Sequence, residues 1–194
     1  MFLHWLVRFI FFLLCKLFFH FEVRGRQNIP ESGGFILVSN HVSFLDPILL
    51  SISCPRVLNY MARDSLFRNP VFGWGLLDVG VFPVKRWSAD LPAIRAAVRR
   101  LKAGRGLGLF PEGARSPDGQ IRDFSQGFAL LADKAGVPIV PARVIGSYRA
   151  WGKGSKMIRP VKIRVVFGEC MRLDKDQPYI ETARQAREKI KRMY

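Results

Sequence analysis

Short apolar runs recur along the chain, separated from one another by stretches with helical periodicity. Gly34-Phe35-Ile36-Leu37-Val38, Leu58 to Ala62, Gly80 to Arg86 with its two terminal cations, Leu107 to Phe110, Ile139 to Ile145 and Val161 to Phe167 are too short for helices. They read as buried strands, and Phe21 to Arg24 as a shorter one. Between them, Pro47 to Ile52, Pro70 to Leu77, Ala89 to about Ala103 and Gly127 to Ala135 read as helices, with a polar one from about Tyr179. Strands alternating with helices predict an α/β fold, a mixed, largely parallel sheet covered by helices on both faces. Active sites in such sheets gather at the strand ends.

The helix near residue 90 has the clearest boundaries. Ser88 is the predicted cap, Leu91, Ile94, Val98 and Leu101 share one face, and Gly104 is the stop. Arg99, Arg100 and Lys102 in its last turn complement the helix dipole. Gly104-Arg105-Gly106-Leu107-Gly108 has the look of a nucleotide loop, but it follows a helix and precedes a strand, the wrong order for a dinucleotide fingerprint.

The first 22 residues are unusually apolar, yet Arg8 and Lys16 limit the longest unbroken run to Phe9–Cys15. A spanning helix needs about 20 predominantly apolar residues, and a central Arg or Lys costs roughly 2.5 to 3.5 kcal/mol. Two such charges disfavour a span. At about 100° per residue, His4, Arg8, Lys16 and His20 fall within an arc of about 160°, leaving the rest to Phe, Leu and Ile. The expectation is an N-terminal helix lying in the membrane interface with its basic residues reaching toward phosphates; the competing one is a core helix of a soluble protein. No small-residue cleavage site of a signal peptide follows.

Lys and Arg number 31 against 15 Asp and Glu, a net charge of +16, so the surface attracts anions: nucleic acid, phospholipid headgroups or phosphorylated substrates. Cys15, Cys54 and Cys170 are odd in number and widely spaced, which suggests neither a disulfide framework nor a zinc site and fits a reducing compartment.

Asn40-His41-Val42-Ser43-Phe44-Leu45-Asp46-Pro47 begins where a strand ends and leads into a helix. Pro47 suits a first helical turn, and Asp46 or Ser43 is its candidate cap. On a regular helix His41 and Asp46 would stand about 140° apart, so a helix separates them and a turn joins them. In a turn, Asp46 accepts a proton from one imidazole nitrogen and leaves the other free as a general base, a dyad without its own nucleophile. The bland alternative is a helix cap beside a loop histidine.

A second strand runs into Phe110-Pro111-Glu112-Gly113-Ala114-Arg115-Ser116. This stretch combines an acidic residue, a glycine that lets backbone approach a ligand, and an arginine whose planar fork suits phosphate. Arg86, at the end of a third strand, supplies another cation. If these strands are neighbours, a phosphate site stands beside a general base. If they are not, Glu112 and Arg115 simply pair with each other and Arg86 is a solvated strand end.

Four blocks in order, Asn40 to Asp46, Gly80 to Arg86, Phe110 to Ser116 and Val137-Pro138-Ile139-Val140-Pro141, resemble those of the glycerolipid acyltransferases. The nearest subgroup is the 1-acylglycerol-3-phosphate acyltransferases, and the resemblance spans roughly residues 20 to 170. It implies that His41 is the general base and Asp46 its orienting carboxylate, and that Arg86, Glu112, Gly113 and Arg115 bind the phosphorylated acceptor. With residues 1–20 read as the membrane-associating helix, it implies a catalytic domain at 21–194 and a fatty acyl group passed from acyl-CoA or acyl carrier protein to a lysophospholipid, giving phosphatidate. Metal and separate cofactor are not required. The expected location is peripheral or monotopic, on an anionic membrane surface facing the cytosol. Two positions depart from the pattern: Ala114 replaces a common threonine, and Phe124-Ser125-Gln126-Gly127 lacks an expected lysine. Both bear on acceptor identity more than on reaction type.

Other readings remain at this level. Glycerol 3-phosphate or another lysolipid is an alternative acceptor. Hydrolysis is disfavoured because no Gly-x-Ser-x-Gly elbow occurs. The non-enzyme alternative is a basic membrane- or nucleic-acid-binding module, the latter disfavoured because the cations are dispersed and no common recognition motif appears.

Overall fold

The computed structural model describes residues 2–69, 80–84, 90–174 and 176–194. Within them one sheet of seven strands forms: β1 (Glu22–Arg24), β2 (Phe35–Ser39), β3 (Leu58–Arg63), β4 (Val81–Val84), β5 (Gly106–Leu109), β6 (Ile139–Ile145) and β7 (Arg164–Phe167). Their spatial order is β1-β7-β6-β2-β5-β3-β4. Strands β2 to β6 are mutually parallel, β7 is antiparallel to β6, and β1 is parallel to β7. The helices are α1 (Phe2–Phe19), α2 (Asp46–Ser53), α3 (Leu91–Lys102), α4 (Gly127–Ala135), α5 (Ser147–Trp151) and α6 (Tyr179–Arg192). The expected mixed, largely parallel sheet flanked by helices is therefore present.

Strand β2 shows why the sheet needs both covers. It lies between β5 and β6, and Phe35, Ile36, Leu37 and Val38 are all fully buried. Alternation sends Phe35 and Leu37 into a core with Cys15 and Phe19 of α1 and Leu49 and Leu50 of α2. Ile36 and Val38 enter the opposite core, with Leu101 of α3, Phe128 of α4 and Ile190 of α6. Each such side chain contributes about 1.5 to 3 kcal/mol of burial, and truncating one to alanine costs about 2 to 5 kcal/mol.

Several local expectations change. The cap of α3 is Asp90, whose carboxylate accepts from the Ala93 N–H; Ser88 lies outside the described residues. The buried face of α3 is Ala93, Ala97 and Leu101, with Leu91 exposed, because small residues let the helix lie close. The helix stop at Gly104 holds, with φ at +78°. The strand expected from Val161 forms only from Arg164, and the helix expected at Pro70 to Leu77 lies outside the described residues.

Helix α1 packs on α2 through Cys15 and Phe19, and the Arg8 guanidinium donates to the Cys54 carbonyl at the far end of α2. Arg8 therefore points into the domain and not toward solvent phosphates, as its place on the helical wheel had suggested. Burial lowers its pKa. The face turned outward is mostly apolar: Phe9, Ile10, Leu13, Leu14, Leu17 and Phe18 are all exposed, Leu17 to 81%, with Lys16 exposed among them. Among the described residues no helix is long and apolar enough to cross a membrane.

Candidate active site

The loop after β2 is aimed by a buried amide. Asn40 Nδ2 donates to the Val144 carbonyl at 3.0 Å, and the Val144 N–H returns a bond to Asn40 Oδ1 at 2.9 Å. The side chain replaces the strand pairing that ends at Ser39 and Ala142, so β2 and β6 part here without stranding backbone groups. His41 follows at the opening.

Asp46 is the first residue of α2 and is fully buried, but its carboxylate turns back into the loop. Oδ2 accepts the Val42 and Ser43 N–H groups, both at 2.7 Å, and lies 3.0 Å from His41 Nδ1. The predicted capping role is corrected: neither Asp46 nor Ser43 makes a side-chain cap of α2, whose N-cap residue is Leu45. A carboxylate can only accept, so Nδ1 carries the imidazole proton and Nε2 is the open base nitrogen. The N-terminal turn of α2 adds a favourable dipole for the buried charge. Asp46 Oδ1 has no hydrogen-bond partner.

Pairing of Val38 with Leu109 puts the loop after β5 beside this one. It turns at Phe110 to Gly113, closed by the Gly113 N–H on the Phe110 carbonyl at 3.0 Å, with Gly113 at a φ of +71°. That positive φ is the glycine's requirement here. Glu112 Oε1 accepts the His41 N–H at 2.9 Å and Oε2 the Arg122 N–H at 3.3 Å, while the Ser116 N–H donates to the His41 carbonyl at 2.8 Å. Both backbone groups of the histidine are thus held by the neighbouring loop. Glu112 does not pair with Arg115; its two oxygens serve backbone donors. Burial pushes its pKa up, and those donors act against that.

The His41 ring stacks on Phe110, centroids 4.1 Å apart at 22°, and Phe110 stacks with Tyr60 at 6.2 Å and 12°. Tyr60 donates to the Pro47 carbonyl and accepts from Ser51, each at 3.2 Å, and burial pushes its pKa up. A Cβ at Gly108 would stand 2.4 Å from the Tyr60 ring, so β5 must be bare there. Sequence reading gave Tyr60 no role, since an apolar strand position carries no sign of what stacks on it.

Arg115 reaches the same corner. Its guanidinium carbon lies 3.3 Å from the Phe44 ring centroid, and Nη1 is buried without a partner. Burial lowers its pKa while the Asp46 charge works the other way; an arginine keeps its charge under both. Phe44 is 51% exposed and meets Trp151 at 5.3 Å. Ser43 Oγ donates to the Trp151 carbonyl at 2.6 Å, and Ser43 bridges Gly152. Arg86 lies outside the described residues. Ile139 and Val140 of the fourth block are buried core. Among the described residues no three His, Cys, Asp or Glu side chains gather as metal ligands.

Comparisons with known proteins bear on the family of the chain. The family model described as Acyltransferase matches residues 20–145. A chloroplastic 1-acyl-sn-glycerol-3-phosphate acyltransferase of Brassica napus is 33% identical over 144 residues, 73% of this chain and 42% of its own. An enzyme of the same name from Bacillus subtilis is 28% identical over 149 residues, 76% of this chain and 72% of its own. The crystal structure of the 1-acyl-sn-glycerophosphate acyltransferase PlsC from Thermotoga maritima superposes with a TM-score of 0.76 at 29% identity, covering 89% of this chain and 69% of that one. The chain thus spans about two fifths of the chloroplastic relative's length and about seven tenths of these two bacterial ones.

Proposed function

The chain belongs to the acyltransferase family, and on that premise we propose that it moves a fatty acyl group from a thioester to the free hydroxyl of a 1-acylglycerol 3-phosphate, giving phosphatidate. The observation that carries the reading is the His41 Nδ1 to Asp46 Oδ2 contact of 3.0 Å, which leaves a base nitrogen open and supplies no protein nucleophile. His41 Nε2 takes the hydroxyl proton as that oxygen attacks the thioester carbonyl carbon, and Asp46 stabilises the imidazolium. The tetrahedral intermediate then collapses, the carbon–sulfur bond breaks, and the imidazolium returns its proton to the departing thiolate. The buried, unpartnered Nη1 of Arg115 supports a role on the acceptor phosphate, holding the hydroxyl near His41. Arg86 and Gly113 belong to the same acceptor side, while Glu112 acts by fixing His41.

The donor is acyl-CoA or acyl carrier protein, and no further cofactor takes part. The exposed apolar face of α1 supports a monotopic attachment, lying in the interface of an anionic cytosolic leaflet. A donor and acceptor matrix on wild type and His41→Ala tests the function. Transfer to lysophosphatidate by wild type, absent in a folded His41→Ala protein, is expected. An active His41→Ala enzyme, or preference for an acceptor without phosphate, overturns the reading.

A further inference from the structure

Past Trp151 lies a hollow lined by cations. Tyr148, Arg149, Lys153, Ser155 and Arg159 border a cavity of about 400 Å3 formed by α5 and the loop that follows. Among the described residues no carboxylate pairs with Arg149, Lys153 or Arg159. Between Asp133 and Glu169 the chain has no acidic residue at all. Converging cations without counterions in a concave site raise the local potential for a polyanion.

The loop is tied down. The Arg159 N–H donates to the Ala150 carbonyl at 2.9 Å, the Ser155 N–H to Gly152 at 3.1 Å, and Trp151 Nε1 to the Ser155 carbonyl at 3.2 Å. Tyr148 forms a fixed wall: its hydroxyl donates to the Pro117 carbonyl at 2.7 Å, and a Cβ on Gly152 would stand 2.7 Å from it. Both attachments lead to the histidine. Gly152 bridges Ser43, and Pro117 follows the Ser116 whose N–H holds the His41 carbonyl.

Reach decides which anion belongs there. In the acceptor, only two carbons and an oxygen separate the reacting hydroxyl from phosphorus, so that phosphate must bind close to His41, where Arg115 lies on Phe44. Trp151 stands between this corner and the cavity, its ring against Phe44 and its Nε1 on the Ser155 wall. A phosphate beyond Trp151 belongs to a longer molecule. The thioester's carrier is such a molecule, with phosphate at the end of a pantetheine arm.

We propose that the Arg149–Lys153–Arg159 cavity binds the phosphate of the donor's carrier, so that the pantetheine arm runs past Trp151 and Phe44 toward His41. This rests on the acyl-transfer reading above. Coenzyme A and holo acyl carrier protein share that chemistry, and they are separate arms of the test. Free coenzyme A and holo carrier protein are titrated calorimetrically into the full chain in neutral detergent, as wild type, R149Q/R159Q and R149K/R159K.

The glutamine pair should weaken binding on the order of tenfold or more, and raise the donor KM by the same factor with the acceptor KM unchanged. The lysine pair, which keeps the charge, should retain most of the affinity and shows that the loop still folds. Loss confined to coenzyme A assigns the nucleotide carrier, and loss confined to the carrier protein assigns the protein-borne arm. Unchanged binding of both, a rise in acceptor KM alone, or lost binding only to phosphatidylglycerol vesicles overturns the proposal. Charge-sensitive binding of coenzyme A without any acyl transfer would sink the reaction reading and leave the cavity's assignment standing.

Discussion

Glu112 receives the backbone N–H of His41 at 2.9 Å across 71 residues of sequence. A half-buried carboxylate thereby sets where the imidazole backbone lies, while Asp46 sets how the ring turns. Glu112→Ala should lower kcat by roughly ten- to a hundredfold with little change in acceptor KM, since the base is misplaced and the acceptor contact is kept. Steady-state kinetics at varied acceptor separate the two; a pure KM effect would mean that Glu112 touches substrate.

The raised pKa of Glu112 also has a stability consequence. The folded protein holds that proton more tightly than the unfolded chain, so the contribution is complete below the unfolded pKa and is lost as pH rises through the folded one. Glu112→Gln removes the titration. Its melting temperature should fall less than that of wild type between acidic and neutral pH, measured by calorimetric scans across that range.

Asp46→Asn and Asp46→Ala should differ in kind. The amide oxygen still accepts from Val42 and Ser43, so the asparagine variant folds but loses the charge that steadies the imidazolium, with kcat down on the order of a thousandfold. The alanine variant strands two buried N–H groups and should lose about 1 to 3 kcal/mol for each in denaturant unfolding.

Arg115→Ala should raise the acceptor KM on the order of tenfold, the loss of a charge-assisted contact, with kcat nearly unchanged. Arg115→Lys keeps the charge but gives up the planar stack on Phe44 and should fall between. Initial-rate kinetics with a soluble short-chain acceptor read this without the membrane.

Glu22 ties β1 to β7 through Arg164 at 2.9 Å, and hydrogen bonds from Arg164 and then Arg24 lower its pKa from 4.5 to about 2. The stability it adds is present above the unfolded value and disappears as pH falls through the folded one. Wild type and Glu22→Gln should therefore differ in melting temperature near neutral pH and converge in acid. A difference that persists in acid would refute the linkage.

The outward face of α1 predicts a separation between attachment and folding. Leu13→Asp with Leu17→Asp places charge on residues that are 44% and 81% exposed, so the domain's melting temperature should stay put while partition onto vesicles drops. Co-sedimentation with liposomes reports the second and calorimetry the first.

Much of this was legible in the sequence, for reasons that differ from residue to residue. The unbroken apolar run Phe35-Ile36-Leu37-Val38, bounded by glycine, marks a buried strand, and the His41 to Asp46 spacing marks a turn, because both are local properties of the chain. The loops' adjacency was readable only as a condition on strand order, which Val38 and Leu109 satisfy. The direction of Arg8 was misread because a helical wheel shows which residues share a face and not which carbonyl waits behind it. The Asn40 clasp on Val144 and the Tyr60–Phe110–His41 stack left no trace, since each depends on a partner far along the chain.

Strand β2 takes its partners from residues 106–109 and 139–142, both later in the chain. Neither edge closes through a hairpin, so its pairing requires two long loop closures before any ladder bond rewards them. During synthesis, a chain cut short of β6 contains His41, Asp46, Glu112 and Arg115 and the β2-β5-β3-β4 part of the sheet, but β2 still lacks one of its two partners. The histidine corner is thus a late product of folding, completed only when the ribosome has delivered the Val144 that Asn40 grips.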